Sequence, residues 1–208
     1  MPRPTSLNIV LNGVAKSVPV VDSSEPLLFV LRNKLDQIGP KVGCGAEQCG
    51  VCTVLVNGTA VRACCAEVRS IPGGADVRTL DGLADNKHGR PKRLHALQRA
   101  FIEEQAAQCA FCSNGMIMSA LAWLNGRAAR GERDVPSDDE VKRFLSGKGP
   151  GAVSVTLCRC GAHLRIVRAI QRAAKDMRRG GDFERGRPDD DDDDCYDDDR
   201  SGPFKGRS

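Results

Sequence analysis

Eight of the ten cysteines in this 208-residue chain fall into two groups of four whose spacings suit sulfur-bound iron clusters. Cys44, Cys49 and Cys52 in GCGAEQCGVC, followed by Cys64 in VRACC, give C-x4-C-x2-C-x11-C, the plant-type order of ligands around a 2Fe-2S centre. Cys109 and Cys112 in QCAFC, with Cys158 and Cys160 in LCRCG, offer four more thiolates from two short segments. Each iron of such a centre takes tetrahedral sulfur, so the chain must bring four thiolates round a compact rhomb. Gly43, Gly45 and Gly50 allow the first loop conformations that side chains forbid and bring N–H groups near the sulfurs, where they favour the reduced, more negative state.

Zinc is the competing reading, because it also takes four cysteines, often as two C-x2-C pairs. The x4, x2 spacing in one loop and the C-x-C at Cys158 and Cys160 are unusual for a zinc ribbon. Of the remaining thiols, Cys65 reads as a small apolar residue beside a ligand and Cys195 as incidental. His163 follows the last pair and could ligate, but four cysteines already fill the count, so it reads as a helix-start histidine. Two one-electron centres with no substrate chemistry beside them describe a wire rather than a reaction site.

The elements that must hold these loops come in two textures. SLNIVLNGVAKSVPVV alternates apolar and polar residues about Asn12-Gly13, the pattern of a tight hairpin. Ser23 and Ser24 before Glu25-Pro26 predict a helix cap, and LLFVLRNKL supplies the apolar face. CTVLVNGTAVRAC places a second Asn-Gly turn between strand-like runs, and VRTLDGL adds a last strand, closing a small α+β domain over residues 5–84. From Leu94 the spacing is helical: LHALQRAFIEEQAAQ, GMIMSALAWLNGRAA, SDDEVKRFLSG and HLRIVRAIQRAAKDM predict four helices in a domain over 85–179. Ser137 with Glu140 makes a capping box and Gly147 ends that helix. Cys112 and Cys160 precede helices, where free N–H groups favour negative charge.

The net charge of +4 hides an asymmetry, since residues 180–208 carry 11 acidic and 5 basic side chains. Nine Asp in DDDDDDCYDDD repel one another, so 180–208 reads as a disordered acidic tail. Lys and Arg elsewhere are scattered without aromatic platforms, which argues against nucleic acid. MPRPTSLNIV lacks an apolar signal core, and no run approaches the roughly 18 apolar residues of a membrane span. The expectation is a cytoplasmic protein whose cysteines bind metal rather than pair.

Taken together, GCGAEQCGVCTVLVNG, QCAFCSNGMIMSA and LCRCG resemble the iron-sulfur subunit of the molybdenum hydroxylases, the xanthine and aldehyde oxidase superfamily. The match covers about residues 5–178. The resemblance implies a β-grasp 2Fe-2S ferredoxin domain followed by an all-α four-helix bundle, each with one cluster. It places the cluster on Cys109, Cys112, Cys158 and Cys160 next to a molybdopterin, in the cytosine dinucleotide form, on a large partner chain. The cluster on Cys44, Cys49, Cys52 and Cys64 would lie farther out, and Gln108 would approach the pterin.

CRCG followed by His163-Leu164-Arg165-Ile166, with EQCGVCTVLVNG and AVRACC, is similar to the nicotinate and isoquinoline dehydrogenase branch. That implies hydroxylation of an N-heteroaromatic ring on the large chain, with a further partner carrying haem c, or alternatively FAD, as electron acceptor. The same role in an aldehyde or purine dehydrogenase, and a free-standing two-cluster ferredoxin, are the alternatives. The segment 148–156 is longer than the family pattern and widens the gap between the second pair of cysteine motifs to 45 residues. It is expected to form a surface loop, since lengthening a loop costs little entropy.

Overall fold

The computed structural model describes residues 5–84, 94–149 and 155–180. The expected acidic tail from residue 181 on, with Cys195, lies outside the described residues, as do 85–93 and 150–154. Strands β1 (Thr5–Leu11) and β2 (Val14–Val20) form the expected hairpin, with Leu11 opposite Val14 and positive φ at both Asn12 and Gly13. Such a turn matches the right-handed twist of its strands. β3 (Thr53–Val56) and β4 (Thr59–Arg62) repeat the device around Asn57-Gly58. β5 (Ala75–Arg78) enters between β1 and β3, parallel to the first and antiparallel to the second, giving the order β2-β1-β5-β3-β4.

Two local expectations shift. The last strand begins two residues before VRTLDGL and stops at Arg78, because Leu80–Gly82 turns as a 3₁₀ segment. Asn12 fixes that end, accepting from the Thr79 N–H at 2.9 Å and donating to the Thr79 hydroxyl at 3.0 Å. Helix α1 (Leu27–Asn33) has Pro26 at its N-cap and no side-chain cap. The expected serine cap fails because Ser24 closes its own turn on Asp22, with its backbone N–H at 2.8 Å and its hydroxyl at 2.7 Å from the carboxylate. Leu27, Leu28, Val30 and Leu31 of α1 are buried with Leu7, Ile9, Val54 and Val77 of the sheet, so the sheet grasps this helix on one face.

The four expected helices are present as α2 (Ala96–Glu103), α3 (Ser113–Ala129), α4 (Asp138–Leu145) and α5 (His163–Gly180). Ser137 and Glu140 form the capping box of α4. It ends at Gly147, whose N–H reaches Phe144 O at 3.0 Å while Lys148 N–H reaches Arg143 O at 2.9 Å. Trp123 of α3 stacks on Phe144 with ring centroids 4.5 Å apart, and Arg127 covers Trp123 while donating to Glu140 at 2.7 Å. α3 is apolar nearly all round because it is central, and Met116, Met118, Leu121 and Leu124 are each 2% exposed or less. No described helix is long and apolar enough to cross a membrane.

The two halves share packing. Val51 of the loop before β3, with Leu55 and Ala60 of the sheet, belongs to the same buried cluster as α3 and α5, which explains why all four residues of β3 are buried. At the seam a Cβ on Gly115 would lie 2.2 Å from Gly50 O, so the first turn of α3 sits directly on the first cysteine loop. Buried Asn114 donates to Val51 O at 2.8 Å and Thr53 O at 3.0 Å. Asn114→Ala strips both donors from the seam. The expected cost is about 2 kcal/mol, read as a fall in Tm of about 4–8 °C; an unchanged Tm would remove Asn114 from the seam's support.

His95 caps α2, its Nδ1 accepting from Leu97 N–H at 3.2 Å while Gln98 answers to His95 N–H at 3.0 Å. Burial, aided by Arg78 and Arg99, lowers the His95 pKa from 6.5 to about 4. The unfolded chain therefore binds a proton that the fold refuses, so this contribution to stability is full above pH 6.5 and is lost as pH falls towards 4. Urea denaturation between pH 7 and pH 4 is expected to show that decline. His95→Asn, which caps without titrating, is expected to flatten it.

Candidate metal centres

The first loop, residues 41–52, is held at its base before any thiol is placed. Arg32 donates to Pro40 O at 2.6 Å, Asp81 accepts from Gly39 N–H at 2.9 Å, and Lys41 N–H meets Val51 O at 3.2 Å. Above this base the backbone turns inward on two sulfurs. Ala46, Gln48 and Cys49 N–H groups lie 3.3–3.4 Å from Cys44 Sγ, and Cys44 N–H lies 3.3 Å from Cys49 Sγ. The Ala46 N–H leads in lowering the Cys44 pKa to about 7. Gly45 and Gly50 have positive φ, as the sequence suggests, and so does Glu47 at 60°. Gly43 is required for space instead, since a Cβ there would come 2.7 Å from Cys49 Sγ.

Cys52 precedes β3 and Cys64 follows β4, so the strand pair carries these two thiols to one end of the loop, where they touch. Cys52 is 2% exposed, and burial pushes its pKa up to about 12. Such a thiol gives up its proton readily only to a metal. Cys65 departs from the expectation of a small apolar residue: it is exposed in the turn after β4, with Sγ 3.7 Å from Cys64 Sγ and 3.4 Å from Gly45 O.

The second group is built from helix starts. Cys112 is the N-cap residue of α3 and Cys109 sits in the exposed turn before it, with Ala110 between them at φ 59°. Cys158 and Cys160 precede α5 through Gly161, whose φ is +78°. Backbone N–H groups again aim inward: that of Phe111 leads in lowering the Cys109 pKa, and those of Ala162, Cys160 and Gly161 act on Cys158. Burial raises the Cys112 pKa to about 12.

The eight expected ligands thus meet two by two. Cys44 contacts Cys49, Cys52 contacts Cys64, Cys109 contacts Cys160 and Cys112 contacts Cys158. Among the described residues no three His, Cys, Asp or Glu side chains converge tightly enough to share one ion. Two thiol pairs per group, an outer one with an exposed member and an inner one with a buried member, are the donor set for a binuclear centre in which each iron takes two cysteines. His163 is exposed at the first position of α5, and Gln108 is exposed beside Cys109.

Three seam residues carried no readable signal in the sequence. Leu157 N–H donates to Cys49 O at 3.0 Å, linking the residue before Cys158 to the backbone of the first cysteine loop. Thr156, in the segment expected to be a surface loop, is 5% exposed; its hydroxyl lies over Gly50, where a Cβ would meet it at 2.7 Å. Arg62 is 4% exposed and donates to Gly50 O at 3.1 Å, to Val155 O at 3.3 Å and to Thr53 Oγ1.

Known proteins match the chain along both thiol groups. Residues 9–77 match the family described as 2Fe-2S iron-sulfur cluster binding domain, and residues 79–171 match the [2Fe-2S] binding domain family. A nicotinate dehydrogenase subunit from Pseudomonas putida is 40% identical over 84% of this chain and 98% of its own length. The alpha subunit of isoquinoline 1-oxidoreductase from Brevundimonas diminuta is 39% identical over 82% and 98%. A chain of quinoline 2-oxidoreductase from Pseudomonas putida 86 superposes with a TM-score of 0.70 at 30% identity, over 86% of this chain and 98% of that one. The chain belongs to the iron-sulfur small subunits of the molybdenum hydroxylase superfamily, nearest its nicotinate and isoquinoline dehydrogenase branch.

Proposed function

We propose that this chain takes electrons one at a time from a molybdopterin-bearing large partner and passes them outward to a cytochrome c-type or FAD-bearing partner, in an enzyme that hydroxylates an N-heteroaromatic ring of the nicotinate kind. The observation that carries the reading is the pairing of the thiols in two groups joined by the Leu157 N–H to Cys49 carbonyl hydrogen bond. A 2Fe-2S cluster in each group supplies reversible one-electron chemistry. Cys44 and Cys49 would hold one iron of the first, Cys52 and Cys64 the other; Cys109 with Cys160 and Cys112 with Cys158 would divide the second in the same way. The backbone N–H groups on Cys44, Cys109 and Cys158 favour the added negative charge.

The second group suits the molybdenum side. Cys109 and Gln108 are exposed, and Phe111, Leu157 and Leu164, which flank its cysteines in sequence, are 48%, 55% and 67% exposed. Apolar side chains around an exposed thiol suit a face that a large partner covers, and Gln108 then reaches the pterin, a cytosine dinucleotide in this reading. Residues 5–84 and 85–179 are the two cluster-bearing domains, and the substrate pocket belongs to the partner.

Iron analysis and EPR of the dithionite-reduced complex are expected to give about four irons per chain and two distinct 2Fe-2S signals; zinc with no EPR signal would overturn the reading. Cys109→Ser or Cys160→Ser is expected to remove one signal and block delivery from the molybdenum side. Cys49→Ser or Cys52→Ser is expected to remove the other and block exit, with substrate still reducing the second group. Turnover of aldehydes but not N-heterocycles by a flavin-containing complex would redirect the substrate assignment alone.

A further inference from the structure

Arg62 ends β4 two residues before Cys64, and it is buried at the point where the two halves meet. Taking a guanidinium out of water is costly unless its surroundings replace the lost solvation. Here it donates to two backbone carbonyls, those of Gly50 and Val155, and to the Thr53 hydroxyl. The acidic groups that act on it most strongly are the thiols of Cys52, Cys49 and Cys64, followed by Glu47. Three of these four are candidate ligands of the first group. Gly50, its acceptor, lies between Cys49 and Cys52, so the cation is anchored to the backbone of the cysteine loop itself.

A centre held by four thiolates carries net negative charge and becomes more negative on reduction. A fixed cation nearby, shielded from water, therefore stabilises its reduced state more than its oxidised state. We propose that Arg62 is a positioning residue that raises the reduction potential of the first centre relative to the second, and so draws electrons across the seam from the second centre into the first. This rests on the electron-transfer reading above. The role differs from that of a simple structural tie, although the Gly50 and Val155 contacts also make Arg62 part of the seam.

The test is an EPR-monitored redox titration of the purified complex. Arg62→Met keeps an unbranched stem and removes the charge, a replacement that buried ion sites often tolerate. Its first-centre signal is expected to titrate at a lower potential than in the wild type, with the second-centre midpoint unchanged. An unchanged first midpoint, or equal shifts in both centres, would overturn the role. Should the Met variant fail to assemble, Arg62→Lys decides: a first midpoint held near the wild-type value supports the charge, and one that falls although the cation is kept overturns it. Wild-type complex without two 2Fe-2S signals would instead defeat the underlying electron-transfer reading.

Discussion

The close approach of α3 to the first cysteine loop is the contact on which the other arrangements rest. Gly50 has φ +76°, and a Cβ on it would meet Arg62 Nη1 and Thr156 Oγ1 at 2.7 Å and Val155 O at 2.9 Å. From the other side Gly115 leaves Gly50 O uncrowded. Two absent side chains thus let a cysteine loop, the start of a helix and the segment leading to Cys158 share one point. A methyl group on either glycine would drive these backbones apart. Electron transfer weakens steeply with distance, so the spacing of the two thiol groups depends on this seam more than on either half's own stability.

Around that contact the backbone supplies most of the polar chemistry. The sulfurs of Cys44, Cys109 and Cys158 face N–H groups that no strand or helix uses, while Cys52 and Cys112 are sunk in apolar surroundings. Each group therefore combines hydrogen-bonded sulfurs with one sunk in apolar surroundings. Keeping the turns tight puts Glu47 and Ala110 in the left-handed region, at about 1–2 kcal/mol each for a residue with a Cβ. Strain of this size persists only where flanking structure over-determines it, and here the Arg32, Asp81 and Lys41 hydrogen bonds at the base of the first loop and the start of α3 flank the two turns.

The helical half is built to present α3 rather than to stand alone. Trp123, Phe144 and Arg127 lock α4 against the distal end of α3, and α5 packs along its apolar side through Ile166, Ile170 and Ala173. Its N-terminal end is left to meet β3, where Asn114 answers the Val51 and Thr53 carbonyls. The β3–β4 part of the sheet in turn is covered on both faces, by α1 and by α3.

The two Asn-Gly hairpins, the Ser137 capping box and the four-helix count were legible because each depends on chemistry within a few residues. The short cysteine motifs were legible for the same reason, but the pairing of Cys109 with Cys160 and of Cys112 with Cys158 joins segments far apart in the chain. The missing serine cap of α1 reflects a local rival, the Asp22 turn, that outcompetes it. Arg62, Asn114, Thr156 and the need for glycine at 115 were not legible, because each acquires its meaning from a partner 40 or more residues away, as with Arg62 and Val155 at a separation of 93. The sequence by itself determined the short motifs that hold the thiols and the elements that carry them, through local spacing and backbone preference. Only the tertiary structure decided how the two groups face each other and which cation lies between the halves, because close approach across a seam is a property of two surfaces and leaves no period or motif in either.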